Sequence, residues 1–246
     1  MTAHRTPAAA RLAWAEAHAH ALGGLRHMIG PLVAAHTAPD LPLNTAWHDG
    51  TTPLTAAHLQ DLEAFCAAHH QVPTVHVLSP FAAASLPALN ARSYELSGVL
   101  NAYLHNLEPL PLPPALPVAE TTDPDEWAHL SAQGFGPGSL STMLVVARTP
   151  GTRLFTAQLH GEAAGSAALA VHEGVGALFG MSTLPAARGQ GVQTALLAAR
   201  VHAAAQTRAD LASVFVTPGT PSERNILRAG FRLAALRLTF TRQPAR

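Results

Sequence analysis

The chain contains no lysine, and this absence removes one class of phosphate-binding loop, because a Walker loop closes on Gly-Lys-Ser/Thr. Cysteine is nearly absent too: Cys66 alone excludes an internal disulfide and fits a reducing compartment. Its setting in Leu62-Glu63-Ala64-Phe65-Cys66-Ala67 suits an apolar helix face better than a nucleophile's. Charge is scarce at 12%, and 15 basic residues balance 15 acidic ones, so no global field draws nucleic acid or an anionic membrane. No apolar run approaches the ~20 residues that span a bilayer, and the N-terminus lacks the apolar stretch of a secretory signal, so the expectation is a cytoplasmic protein. Fifteen histidines occur, yet there is no His-Glu-x-x-His and no clustering with Cys or carboxylates at ligand spacing, so no metal is expected.

What remains is a folded chain, 48% hydrophobic over 246 residues, which is long for one ordinary domain. Residues 7–37 favour helix, interrupted at Gly23, Gly24 and Gly30. Asn44 to His48 reads as a short strand, Leu54 to His69 as helix, Thr74 to Leu78 as strand, Phe81 to Ala91 as helix and Leu96 to His105 as strand. The segment from Leu107 to Pro117 is proline-dense and can continue neither a helix nor a ladder. It divides the chain into residues 1–112 and 113–246. Beyond it, Asp123 is a candidate N-cap with Pro124 in the first helical position, and the helix is expected over Asp123 to Ser131. Met143 to Arg148, Leu154 to His160, Ala164 to His172 and Val175 to Thr183 read as strands, with Glu173-Gly174 as a hairpin turn.

The next stretch organises the rest. A strand ending at Thr183 runs through Pro185-Ala186-Ala187-Arg188-Gly189-Gln190-Gly191 into a helix over Val192 to Gln206. The first amides of a helix have no intrahelical acceptor and carry partial positive charge, so an anion is favoured there. Gly189 and Gly191 bring no Cβ into that space, and Arg188 adds a fixed charge. A Rossmann loop would need a third glycine, which is missing.

Arg188-Gly189-Gln190-Gly191-Val192-Gln193 resembles the Q/R-x-x-G-x-G/A loop of the GNAT superfamily of acyl-CoA-dependent N-acyltransferases. Ser222-Glu223-Arg224-Asn225-Ile226-Leu227-Arg228-Ala229-Gly230-Phe231 resembles the segment that closes that fold. The resemblance covers about residues 117–242 and implies an α/β (α+β) fold, a mixed central sheet flanked by helices. It further implies acetyl-CoA as acyl donor and a primary amine on a small molecule or peptide as acceptor. The pyrophosphate would rest on Arg188, Gly189, Gln190, Gly191, Val192, Gln193 and Thr194. Main-chain groups of Met181, Ser182 and Thr183 would meet the pantetheine arm, and Asn225 stands near the family's coenzyme-facing asparagine.

Three positions depart from the family pattern: Gln193 holds the third small position of the loop, Asn225 stands only five residues before Gly230, and Ile226 lies in the closing helix. Ile226 replaces the usual tyrosine, and no tyrosine follows Leu104, which leaves the general acid unassigned. Glu120, Glu126, His129, His160, His172 and Glu173 are the candidate bases, none of them assigned. A second reading is a non-catalytic acyl-CoA-binding module acting through a protein partner. Either a monomer or a homodimer fits.

The order helix, strand, helix, strand before the linker repeats near the C-terminus. Aligning Tyr94 with Phe231, an offset of 231 − 94 = 137, sets Leu96 on Leu233, Val99 on Leu236 and Tyr103 on Phe240. The expectation is a duplication in which the first half is a degenerate GNAT-like copy. That copy has no R-x-x-G-x loop, since Trp47-His48-Asp49-Gly50-Thr51-Thr52-Pro53 stands in its place.

Overall fold

A computed structural model describes residues 7–243. Before the proline-rich linker the elements are α1 (Pro7–Ala19), β1 (Leu25–Ile29), β2 (Leu32–His36), β3 (Ala46–His48), α2 (Ala56–Ala68), β4 (Thr74–Leu78), α3 (Ser79–Ala91) and β5 (Tyr94–His105). After it come β6 (Val118–Thr121), α4 (Pro124–Phe135), α5 (Leu140–Arg148), β7 (Arg153–Leu159), β8 (Glu162–His172), β9 (Val175–Thr183), α6 (Val192–Ala205), β10 (Leu211–Val216), α7 (Pro221–Arg228) and β11 (Arg232–Arg242). The described residues form two units, 7–102 with 234–243, and 103–233.

In the first unit the strand order is β1-β2-β3-β4-β11-β5. β1 and β2 pair antiparallel, β2 and β3 antiparallel, β3 and β4 parallel, and β11 returns antiparallel against β4. Helix α2 turns Leu59, Leu62 and Cys66 inward, which is the i, i+3, i+7 stripe of an amphipathic helix. Its start is closed by its own residues: the Thr55 hydroxyl accepts from the His58 amide at 3.2 Å, and the Thr55 amide donates to His58 Nδ1 at 3.3 Å.

In the second unit the order is β10-β9-β8-β7-β6. β6–β7, β7–β8 and β8–β9 are antiparallel, and β9–β10 is parallel. The run β7-β8-β9-β10 therefore repeats the pairing senses of β1-β2-β3-β4. Its core joins Phe155, Ala167, Leu169 and Leu178 of the sheet to Val192, Leu196 and Val201 of α6 and to Ile226 and Phe231. Each such fully buried leucine or valine contributes about 1.5–3 kcal/mol.

Two expectations are corrected. Residues 25–29 and 32–36 are a hairpin rather than helix. Gly30 sits at φ +52° in its turn, and at Gly24 a Cβ would lie 2.3 Å from the His36 carbonyl oxygen, so the chain makes a close backbone contact there that a helix does not. Met143 to Arg148 is the helix α5, not a strand. Met143, Val146 and Ala147 are its buried residues, a spacing of three and four that presents one helical face, and Met143 Sδ accepts from the Ser131 hydroxyl of α4 at 3.2 Å. A short apolar run carries no period of its own, and two adjacent valines fit a strand as readily as a helix. The helix over residues 124–135 forms as expected, with the Asp123 carboxylate accepting from the amides of Asp125 and Glu126 at 3.0 Å each.

Candidate functional site

Strand β9 starts as an ordinary member of its sheet. Its parallel register with β10 runs from Val175↔Leu211 to Leu178↔Val214 and ends there, while β9 continues to Thr183. On the other side, β9 stays paired with β8, but Ala168↔Phe179 is followed by Ser166↔Ser182. Between these pairs one residue of β8, Ala167, opposes two of β9, Gly180 and Met181, which is a β-bulge. Gly180, in the bulge, has φ +56°, and a Cβ there would lie 3.2 Å from Cη2 of Trp127. Trp127 is fully buried and donates through Nε1 to the Phe155 carbonyl at 3.1 Å, so it forms a fixed floor under the bulge. The result is a strand edge over Phe179–Thr183 that lies beyond the parallel register with β10.

The loop after β9 is anchored and then opens. The Leu184 amide donates to the Ala164 carbonyl at 2.9 Å, and residues Pro185–Ala187 make one 3₁₀ turn. Gly189 follows at φ +78° and Gly191, the N-cap of α6, at φ +83°. A Cβ at either glycine would meet nothing within 4 Å, so these glycines serve the left-handed backbone and the space in front of it is free. The first bond of α6 runs from the Ala195 amide to the Gly191 carbonyl at 3.0 Å, so the amides of Val192, Gln193 and Thr194 precede the ladder. Among the described residues no side chain caps them, as none caps α3 or α5, whereas α2, α4 and α7 are capped by Thr55, Asp123 and Thr220. What sets this start apart is the pair of left-handed glycines with open space in front, and a phosphate fits that donor set and space.

The other expected residues take several orientations. Arg188 is exposed and donates to the Gly134 carbonyl at 3.3 Å, and Gln190 donates to the Ala186 carbonyl at 3.0 Å. Val192 is buried, so only its main chain faces the loop, and the buried Ser182 shares a 3.0 Å hydrogen bond with Ser166. Thr194 is exposed, while Met181 and Thr183 are half-buried. Gln193 turns toward α7, donating to Ser222 Oγ at 2.6 Å and accepting from Asn225 Nδ2 at 2.6 Å. Asn225 also accepts from Arg228. Its amide thus ties α6 to α7, and Gln193 is held by these bonds on the α7 side of the loop.

Among the candidate bases, Glu120 is paired with Arg153 through two bonds of 2.9 and 2.7 Å, which hold its carboxyl below the usual range. His129 binds the Asp125 carbonyl at 2.8 Å on an exposed helix face, and His160 and Glu173 hold turn positions at φ +54° and +49°. Ile226 is fully buried in the core. The second unit does contain a tyrosine, supplied by β5: the buried Tyr103 donates to Glu223 Oε1 at 2.8 Å, and the Gly219 amide donates to Glu223 Oε2 at 2.7 Å.

Three features escaped the sequence reading. Gly180 within a strand pattern was the signal for the bulge. Arg200 continues the inward stripe of Val192 and Leu196 at i+4 and i+8, a charged residue where an apolar one belongs, and it is fully buried. Nothing local linked Tyr103 to Glu223, which are 120 residues apart.

A model of the acetyltransferase (GNAT) family matches residues 105–231, more than half the chain. Among curated proteins no sequence matches. Solved structures agree in fold. A GCN5-related N-acetyltransferase from Kribbella flavida superposes with a TM-score of 0.76 at 17% identity, covering 96% of each chain. A tandem GNAT protein from the clavulanic acid biosynthesis pathway gives 0.57 at 16% identity, covering 87% of this chain and 79% of that one. A GNAT acetyltransferase from Colwellia psychrerythraea gives 0.54 at 14% identity, covering 87% and 81%. With a bulged strand that outruns its parallel register, a glycine loop and an uncapped helix start inside the matched residues, and with a first half that repeats the strand pairing, the chain belongs to the GNAT acetyltransferase family.

Proposed function

We propose that the protein is an N-acetyltransferase that moves the acetyl group of acetyl-CoA to a primary amine of a small molecule or peptide. The observation that carries this reading is the start of α6, where uncapped amides follow two left-handed glycines with open space in front of them. In this reading Arg188 and the main chain from Gly189 to Thr194 hold the pyrophosphate, as a helix N-terminus holds an anion. Main-chain groups of Met181 and Thr183, on the stretch of β9 freed from β10, pair with the pantetheine amides. An N–H there polarises the thioester carbonyl. The amine nitrogen attacks that carbonyl carbon, the C–N bond forms, the C–S bond breaks, and the thiolate takes up a proton while the amine loses one. Tyr103, hydrogen-bonded to Glu223, is the tyrosine that the second unit offers in place of the one Ile226 displaces. The catalytic half is the second unit, residues 103–233, which takes in Tyr103 just before the linker.

Calorimetric titration with acetyl-CoA tests the site. The expected result is a micromolar dissociation constant that is lost in an Arg188→Glu, Gly191→Asp variant which remains folded. Thiol release from acetyl-CoA across a panel of amines then tests the reaction. No binding at millimolar acetyl-CoA refutes the proposal, and binding without thiol release for any amine refutes the catalytic part of it.

A further inference from the structure

Arg200 is fully buried, and no carboxylate is paired with it among the described residues. Placing an uncompensated cation in a core costs far more than a leucine there would. Burial pulls its guanidinium down to about 9, yet it stays protonated at neutral pH. Its donors show what offsets the cost. Nη1 donates to the Ala168 carbonyl at 3.1 Å and to the Phe179 carbonyl at 3.2 Å, Nε donates to the Leu196 carbonyl at 3.1 Å, and Nη2 reaches Met181 Sδ at 2.9 Å.

These contacts surround one feature. Ala168 and Phe179 are the register partners just before the bulge, and Met181 lies just after Gly180. A bulge breaks the ladder and leaves main-chain groups without strand partners. A buried carbonyl left in that state is costly, and only a planar guanidinium has enough donors in one fork to serve two strands and its own helix together. We infer that Arg200 is a positioning residue, clamping β9 on both sides of Gly180 and so fixing the strand edge that the proposed function assigns to the pantetheine arm. This role rests on the coenzyme reading of the site.

The test separates the two ends of the coenzyme. Adenosine diphosphate carries the pyrophosphate and no pantetheine, whereas acetyl-CoA carries both. In the full chain, Arg200→Met is expected to weaken acetyl-CoA about tenfold or more while leaving adenosine diphosphate within about twofold, read by calorimetry. Arg200→Lys keeps the charge and can reach one of the carbonyls, so it is expected to recover part of the loss, and it replaces Arg200→Met should that variant not fold. Hydrogen exchange of the ligand-free protein gives a second readout: the segment 178–184 is expected to exchange faster in either variant, with the start of α6 unchanged. Equal losses for both ligands, or unchanged acetyl-CoA affinity and exchange, overturn the role of Arg200 while leaving the coenzyme site standing. Failure of the unmodified protein to bind acetyl-CoA overturns the coenzyme reading and this role with it.

Discussion

Gly180→Ala and Gly191→Ala place the same methyl group on two glycines of nearly opposite surroundings, and their difference measures the floor under the bulge. Both glycines have left-handed backbone, at φ +56° and +83°. For an L-residue that conformation costs about 1–2 kcal/mol. At Gly191 nothing more is added, because a Cβ there meets no atom within 4 Å. At Gly180 the Cβ meets Trp127 Cη2 at 3.2 Å, with Ala168 Cβ and Val146 Cγ1 at 3.6 Å. Trp127 cannot swing aside without giving up its 3.1 Å bond to the Phe155 carbonyl, so overpacking adds about 1–2 kcal/mol. Urea denaturation of the full chain should therefore show losses of about 2–4 kcal/mol for Gly180→Ala and about 1–2 kcal/mol for Gly191→Ala. In a Trp127→Phe background, which removes the offending atom, the Gly180→Ala loss should fall to the Gly191→Ala value. Equal losses at the two glycines in the unmodified background would refute the assignment of Trp127 as a rigid floor.

Removing the cap of α2 by Thr55→Ala should cost about 1 kcal/mol in the same assay. Glu63 is nearly buried between Arg92, whose Nε lies 2.8 Å away, and Arg242, whose Nη1 lies 3.1 Å away, so Glu63→Gln should cost about 2 kcal/mol, discounted for the partly exposed arginines. Acid should weaken the first unit. Burial holds His20 down to about 4, against the pull of the Thr45 and Ala17 carbonyls toward the cation, and holds His76 well below its ordinary value, with Arg237 acting in the same direction. The unfolded chain then binds protons that the folded chain does not. Stability is fully present above pH ~6.5 and is lost as pH falls toward ~4, by up to about 1.4 kcal/mol per pH unit per histidine. Denaturation midpoints measured at several pH values check the sign, and a rise in stability on acidification would contradict it.

Much of the second unit was legible because its breaks are sharp. Glu173-Gly174 separates two strands, and Val175 to Thr183 is the strand found. The repeat was legible by spacing: β4 begins at Thr74 and β10 at Leu211, so 211 − 74 = 137, the offset read from Tyr94 and Phe231. The hairpin over residues 25–36 was hidden by alanine and leucine, which fit helices as readily as strands, and α5 by two adjacent valines. The left-handed loop could be read because backbone chemistry concentrates in glycine, and Gly189 and Gly191 stand in the text of the chain. Gln193 and Asn225 could be named but not placed, since their mutual 2.6 Å bond joins two helices whose approach no local pattern encodes. The same holds for Tyr103 and Glu223. Arg200 was visible as a letter out of phase with its helix stripe, but its meaning depends on a bulge in a strand that packs across from it.

The capping of α2 can be restated as occupancy. The Thr55 hydroxyl and the His58 ring sit where an incoming anion would have to act, so an external ligand at that helix start must first displace partners the chain supplies to itself. At α6, among the described residues, no side chain stands in that place. Two units with one order of strand pairing thus differ at this helix start, which in the first unit is closed by two side chains.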